Sequence, residues 1–333
     1  MNKSACRAGA TAAAAALTLA ACSSSGGGGA TDAVHVLASI YPLQYVAETV
    51  GGDNVEVDSL TPPGVDAHDL ELAPRDVAEL GDAGVVLYLS GFQAAVDDAV
   101  AQASPAHALD VAGLAGTAGA ATDAHAEDEA HTEEGSHAED EAHTEEGSHA
   151  EAESQDADAH DHSGDPHFWL DPTRLAAVAT GVADELAEVD PGNADEYRAN
   201  AEKLAGELAA LDGELADGLA ACEVRTIVVA HEAYGYLTER YDLEQVGVSG
   251  IDPESEPSPA RLAEVAEVVR AEGVSTIFAE TLVNPEVAET LADDLGIAVS
   301  MLDPLDSQLN EDLDYQEVMR ANLAALRDGL RCA

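Results

Sequence analysis

The stretch ADEYRANAEKLAGELAALDGELADGLA, residues 194–220, decides how this chain is organised. Tyr197, Ala201, Leu204, Leu208, Leu211, Leu215 and Leu219 step by three or four, so one apolar stripe faces a neighbour while the charges face water. Asp190-Pro191-Gly192 breaks any helix that precedes it, so the segment starts afresh near Ala194. At about 1.5 Å per residue it extends about 40 Å, the length of a whole domain, whereas globular helices usually run about 8 to 20 residues. We therefore read it as a rigid connector between two lobes rather than as an ordinary core helix.

Working outward, both flanks alternate short β-branched runs with helical ones. Upstream, the pattern predicts strands at 34–38, 55–60 and 85–89 with helices at 43–50 and 74–80, and Asp171-Pro172 caps a helix to about residue 189. Downstream, strands are expected at 226–230, 245–248, 276–279 and 298–302, with helices between them and a last helix at about 315–330. The fold class is therefore α/β: two lobes, each with a mainly parallel sheet flanked by helices, joined by one long backbone helix. The expected boundaries are 34–192 for the N-terminal lobe, 193–221 for the connector and 222–333 for the C-terminal lobe.

The N-terminal end carries a processing signal. Lys3 and Arg7 lead into an alanine-rich apolar run, residues 8–21, that ends in Leu19-Ala20-Ala21-Cys22 and a Ser/Gly tract. This resembles a bacterial lipoprotein signal: residues 1–21 would be removed, the Cys22 thiol lipidated, and 22–33 left as a flexible leash. The run is too short and too alanine-rich to read well as a membrane span, and no later stretch reaches 18 apolar residues. The mature chain is expected outside the cytoplasm, lipid-anchored to the cell membrane. Cys6 leaves with the signal, so Cys222 and Cys332 remain; in an oxidising compartment two thiols point to a disulfide, the alternative being two buried free thiols.

Charge narrows the partners. The 333 residues carry 66 acidic against 13 basic side chains, a formal charge of -53, which opposes phosphate neutralisation and excludes nucleic acid as a partner. A cationic or polar ligand fits better. Composition shifts abruptly over 121–165, where Lys and Arg vanish and a block beginning at His125 repeats from His137. Such a low-complexity polar insertion is expected to be disordered. It holds His125, His131, His137, His143, His149, His160 and His162, and imidazole interleaved with carboxylate makes a weak, many-site chelator for divalent metals.

In open α/β sheets, ligands bind beyond the carboxyl ends of the strands. His68 follows the strand at 55–60, His231 follows Ile227-Val-Val-Ala230, Glu280 follows Ile277-Phe-Ala279, and Asp303 follows Met301-Leu302. His167, in Asp165-Pro-His167-Phe-Trp-Leu-Asp-Pro172, completes the group. Three neutral imidazoles and a carboxylate give a borderline-soft tetrahedral shell that suits Zn²⁺. His35 and His107 read as ordinary satisfied polar residues.

These residues also carry a family likeness. Ser39-Ile-Tyr-Pro-Leu43, Asp66-Ala-His-Asp-Leu-Glu71, Asp165 to Pro172, Asp190-Pro-Gly-Asn-Ala-Asp-Glu-Tyr197, Ala230-His-Glu-Ala-Tyr-Gly-Tyr236, Ala279-Glu280 and Leu302-Asp-Pro-Leu305 occur in family order. The chain resembles the zinc-type solute-binding lipoproteins of bacterial metal ABC importers. That resemblance implies a metal held in a cleft between two lobes, and a membrane permease with its ATPase as partners of an expected monomer. By position, His68, His167 and His231 match the family's three His ligands, and Asp303 matches the carboxylate of many members; the fourth place can also belong to a water or a neighbouring acid. Glu280 is assigned to orienting an imidazole.

Manganese-type relatives place a carboxylate where this chain has His231, so Zn²⁺ is expected and a manganese-binding member is the alternative. A surface-anchored zinc hydrolase or an adhesin are rivals from other classes. Against an enzyme, Gly235 stands where a helical zinc protease needs its second His after His231-Glu232, and no GxSxG elbow, P-loop or GxGxxG occurs.

Overall fold

The computed structural model describes residues 33–117 and 164–333. The Cys22 lipidation and the seven loop histidines, His125, His131, His137, His143, His149, His160 and His162, lie outside the described residues. The first sheet takes β1 (Val34–Ala38), β2 (Val55–Ser59), β3 (Val85–Tyr88) and β4 (Ala108–Asp110) in the order β2-β1-β3-β4, all parallel. Helices α1 (Tyr41–Gly51), α2 (Pro74–Asp82), α3 (Ala94–Ala103) and α4 (Ala112–Ala115) connect and follow these strands. The second sheet takes β5 (Thr226–Val229), β6 (Glu244–Gly247), β7 (Thr276–Ala279) and β8 (Ala298–Met301) in the order β6-β5-β7-β8, again all parallel. Its helices are α7 (Gly235–Arg240), α8 (Pro259–Glu272), α9 (Glu286–Leu295) and α10 (Tyr315–Gly329). Parallel pairing requires crossover connections, and the β-branched strand cores (Val-Val at β3 and β5, Ile277 in β7) pack under the helices that make them.

The chain passes from one sheet to the other along α5 (Pro172–Val189) and α6 (Ala194–Leu219). Asp171 caps α5, its Oδ1 accepting from Thr173 N at 2.8 Å, with Pro172 in the first turn. The buried face of α6 is Tyr197, Ala201, Leu204, Leu208, Leu211, Leu215 and Leu219, the stripe expected from the sequence. It packs on α5 and α1 of the first lobe and on α10 of the second, so one helix stiffens both. Burying each leucine contributes about 2 kcal/mol, which makes this seam the mechanical spine of the molecule. Cys222 and Cys332 are joined by a disulfide across 110 residues, tying the end of the spine to the last residues of the chain.

Where the structure departs from the sequence reading, the cause is local. β4, α3 and α4 were not foreseen: β4 has three residues, Ala-Leu-Asp, with no β-branched side chain to mark it. No helix among the described residues is long and apolar enough to cross a membrane.

Candidate metal centre

In both sheets the chain leaves the first strand for one side and returns to the other, so β1/β3 and β5/β7 each flank a switch point where a crevice opens at the strand ends. His231 leaves β5 directly. Main-chain bonds from Ala230 N to Phe278 O (2.9 Å) and from Ser249 N to Ala230 O (2.8 Å) extend the ladder past the strand and fix where the imidazole starts. Gly247, the last residue of β6, leaves no room for a Cβ, which would run into Ser249 O and the Glu232 side chain. Glu280 leaves β7 in the same way, and its Oε2 lies 2.7 Å from His231 Nδ1, close but off the line of a straight hydrogen bond.

His68 arrives on a loop after β2 rather than on a strand end. Thr61 Oγ1 donates to Ser39 O (2.7 Å), and Gln93 Nε2 donates to Thr61 Oγ1 (3.0 Å) and Ala67 O (3.1 Å), pinning that loop to the first sheet. Asp66 Oδ1 accepts from His68 N at 2.8 Å, and Phe92 meets the His68 ring edge-on at 4.8 Å. His167 comes from the short turn before α5. Asp165 Oδ1 accepts from its main-chain N at 2.9 Å and lies 2.8 Å from its ring Nδ1, which puts the proton on Nδ1 and leaves the Nε2 lone pair facing the crevice. The second lobe holds this turn: Trp169 Nε1 donates to Pro304 O (2.7 Å), and Tyr315 OH donates to Trp169 O (2.5 Å).

The three imidazoles converge. A ligand nitrogen from each of His68, His167 and His231 lies within 4.8 Å of the others, and ring centroids are 5.3 to 5.7 Å apart. His68 Nε2 and His167 Nε2 face each other at 3.3 Å, a contact that only a shared proton or a shared cation makes favourable. His167 is fully buried, His231 is 1% exposed, and His231 Nε2 has no hydrogen-bond partner among the described residues. Such an orphaned lone pair costs free energy unless a ligand takes it. Three neutral nitrogens pointing at one spot suit Zn²⁺ by number and softness.

Electrostatics keep the ligands ready. Burial, with help from His167 and His231, pushes the His68 imidazole down to about 3, so it is neutral at any physiological pH. Burial also lowers His167, outweighing the pull of Asp165. Burial acts on His231 in the same sense, but Glu280 overrides it and raises the group above its ordinary value. Burial lifts the carboxyl of Asp303 to about 6 and, with Asp66 adding to it, that of Asp306 to about 7. These acids are uncomfortable as bare anions and would be relieved by a cation.

The structure leaves Asp303 outside the group of converging ligand atoms. Its Oδ1 accepts from Leu305 N at 2.8 Å and its main chain is clasped by Asn322, while the residue lines the same small pocket as His231, Glu280 and Asp306. The acid that turns inward is Asp306, whose carboxylate lies with those of Asp66 and the ring of His68 in a second group within 4.8 Å. Sequence reasoning missed Asp66, Asp165 and Asp306. The first two had a signal, an acid two residues before the histidine in both Asp66-Ala-His68 and Asp165-Pro-His167. His35 and His107 are paired elsewhere, with Asp58 and Glu185 at 2.9 Å each.

Comparison with known proteins places the chain among zinc-uptake proteins. The family model described as zinc-uptake complex component A, periplasmic, matches residues 36–329. The high-affinity zinc uptake system protein ZnuA of Bacillus subtilis is 31% identical over 304 residues, covering 90% of this chain and 88% of that protein. The zinc-binding protein AdcA of Streptococcus pyogenes is 29% identical over 313 residues; the match takes in 90% of this chain but spans only about half, 56%, of that longer relative. Among solved structures, the laminin-binding protein Lmb of Streptococcus agalactiae, described as bifunctional with adhesin and metal-transporting activity, superposes with a TM-score of 0.71 at 28% identity, covering 89% of this chain and 99% of that one.

Proposed function

Because the chain belongs to the zinc-uptake complex component A family, we propose that it captures one Zn²⁺ ion outside the cytoplasm and delivers it to the permease and ATPase of a metal ABC importer. The observation that carries this reading is the convergence of His68, His167 and His231 within 4.8 Å, with a buried, unpartnered Nε2 on His231. Asp165 holds the His167 ring by its Nδ1, and Glu280 stands 2.7 Å from His231 Nδ1, carboxylates that raise the basicity of the rings they face. The fourth place falls to a carboxylate or a water on the Asp66 and Asp306 side. Three nitrogen donors favour Zn²⁺ over the harder Mn²⁺.

The site stores and releases a metal rather than reacting. The ion is the cargo, and loading and unloading depend on ligands presented by two lobes. Lipidation at Cys22 would hold the chain at the membrane beside its permease. The likeness to a laminin-binding protein with metal-transporting activity supports an adhesive role only as a second reading. Elemental analysis of protein purified after a chelator wash tests the proposal. Wild type retains one equivalent of zinc, while His231→Ala retains none. Tight zinc in His231→Ala would refute the ligand set, and undiminished growth of a deletion strain in zinc-poor medium would refute import.

A further inference from the structure

His167 belongs to the first lobe by sequence, yet the second lobe grips its turn at two points. Downstream of it, Trp169 and Tyr315 make the bonds described above. Upstream, the hydroxyl of Tyr236, the second residue of α7, donates to Asp165 O at 3.3 Å. Asp165 is the residue whose carboxylate accepts from His167 N and faces its ring Nδ1. Tyr236 therefore fixes the peptide that fixes the imidazole. The segment from His231 to Tyr236 governs two of the three imidazoles, one as a ligand at its start and the other through the phenol at its end.

Arg174, in the first turn of α5, keys this arrangement. Its guanidinium carbon lies 4.5 Å from the centre of the Tyr236 ring, where the negative face of the ring attracts a cation. Its Nη1 donates to Ala115 O at 2.7 Å, and its Nε lies 3.6 Å from Asp171 Oδ2. Gly116, at φ 76°, leaves the guanidinium its path, since a Cβ there would meet Nη1 at 2.8 Å. Tyr236 is 2% exposed, so a ring stacked under Arg174 has little freedom to turn its hydroxyl away from Asp165. Ala115 to Thr117 and Gly164 to Asp165 are the described residues on either side of 118–163. Arg174 bonds the carbonyl of Ala115 before that stretch, and Tyr236 bonds the carbonyl of Asp165 after it. The pair thus sets where Asp165 starts, two residues ahead of His167.

Resting on the reading of the three imidazoles as the zinc-capturing set, we propose that Tyr236 and Arg174 are positioning residues for it: the Tyr236 hydroxyl, keyed by the Arg174 guanidinium, holds the Asp165 peptide so that His167 presents its Nε2 before an ion arrives. Preorganisation of this kind raises affinity because the ordering cost no longer falls on the binding step. Neither side chain is a ligand; both act through Asp165.

The test uses the full chain with Zn²⁺ alone as the probe. Chelator-competition titration reads affinity, and ¹⁵N-histidine NMR of the metal-free protein reads the tautomer of His167. Tyr236→Phe keeps the ring under Arg174 and removes only the hydroxyl. The expected result is a Zn²⁺ affinity about tenfold lower, the scale of one lost supporting hydrogen bond around a metal ligand. The His167 Nδ1–H signal should broaden or mix tautomers at the same time, while the His231 signals stay in place. Arg174→Gln should act in the same direction by about threefold, the scale of a lost cation–aromatic contact. In a His167→Ala background Tyr236→Phe should cost nothing further, because the ring it positions is gone. Wild-type affinity with an unaltered His167 signal in Tyr236→Phe, or wild-type affinity in Arg174→Gln, would overturn the proposal. A tenfold loss that persists in the His167→Ala background, or a shift of the His68, His167 and His231 signals together, would overturn it too, by showing a general loosening of the crevice. The trihistidine reading fails separately, if His167→Ala alone keeps tight zinc; the NMR of the metal-free protein does not depend on that outcome.

Discussion

The two sheets have the same strand order and direction, yet they present their imidazoles in different ways. In the second lobe His231 leaves a fully buried strand and is flanked at once by a second strand-end side chain, Glu280. In the first lobe His68 rides a loop after a half-exposed strand and is held by side-chain bonds through Thr61 and Gln93. The same topology thus yields a ligand set directly on a strand end on one side of the crevice and one carried by a pinned loop on the other.

The comparison predicts an asymmetry in mutational cost. His231→Ala should weaken Zn²⁺ by about a thousandfold or more, because a buried site loses a ligand that no neighbour can replace. His68→Ala should cost about a hundredfold, since Asp66, Asp306 and water stand next to the gap. Competition titrations with a zinc chelator measure both, and equal losses would break the contrast between the lobes.

The disulfide sharpens it on the stability side. Among the described residues the staple lies in the second lobe, and a closed loop of 110 residues contributes about 5 kcal/mol in the chain-entropy model. Reduction should lower stability by about that amount, with the rise in amide exchange concentrated in β5 to β8. An equal rise in β1 to β3 would show that the lobes unfold as one unit.

Glu280→Gln provides the smallest and most specific test. Removing a partner of a metal-bound imidazole costs about tenfold in affinity, read at neutral pH by the same titration. The sign of its pH dependence follows from His231. Glu280 raises that imidazole above its ordinary value, so protons begin to compete with Zn²⁺ above pH 6.5, whereas His68, pushed down to about 3, does not compete until far lower. Wild-type affinity should fall as pH drops through that upper range, and in Glu280→Gln the fall should begin at lower pH. An unshifted profile would place the titrating group elsewhere.

Much of this was legible in the sequence because it rests on periodicity. The stripe from Tyr197 to Leu219 and the strand-end positions of His231 and Glu280 follow from repeat spacing alone. β4 escaped because three residues carry no period. Asp303 and Asp306 were beyond reach for another reason: which acid faces the crevice is set by a turn in which Leu305, a residue with a Cβ, takes φ 64°, a conformation usually reserved for glycine and held here by Asp303 itself. A side chain's direction out of such a turn depends on tertiary contacts, which Tyr41 and Gly64 supply from the other lobe.

The central claim is that His68, His167 and His231 share one ion. Anomalous diffraction at the zinc edge, from crystals of protein loaded with one equivalent, tests it most directly. The account predicts a single strong peak within about 2.0 to 2.1 Å of a ring nitrogen of each of the three histidines. A peak elsewhere, or one bonded to fewer than three of these imidazoles, would contradict it.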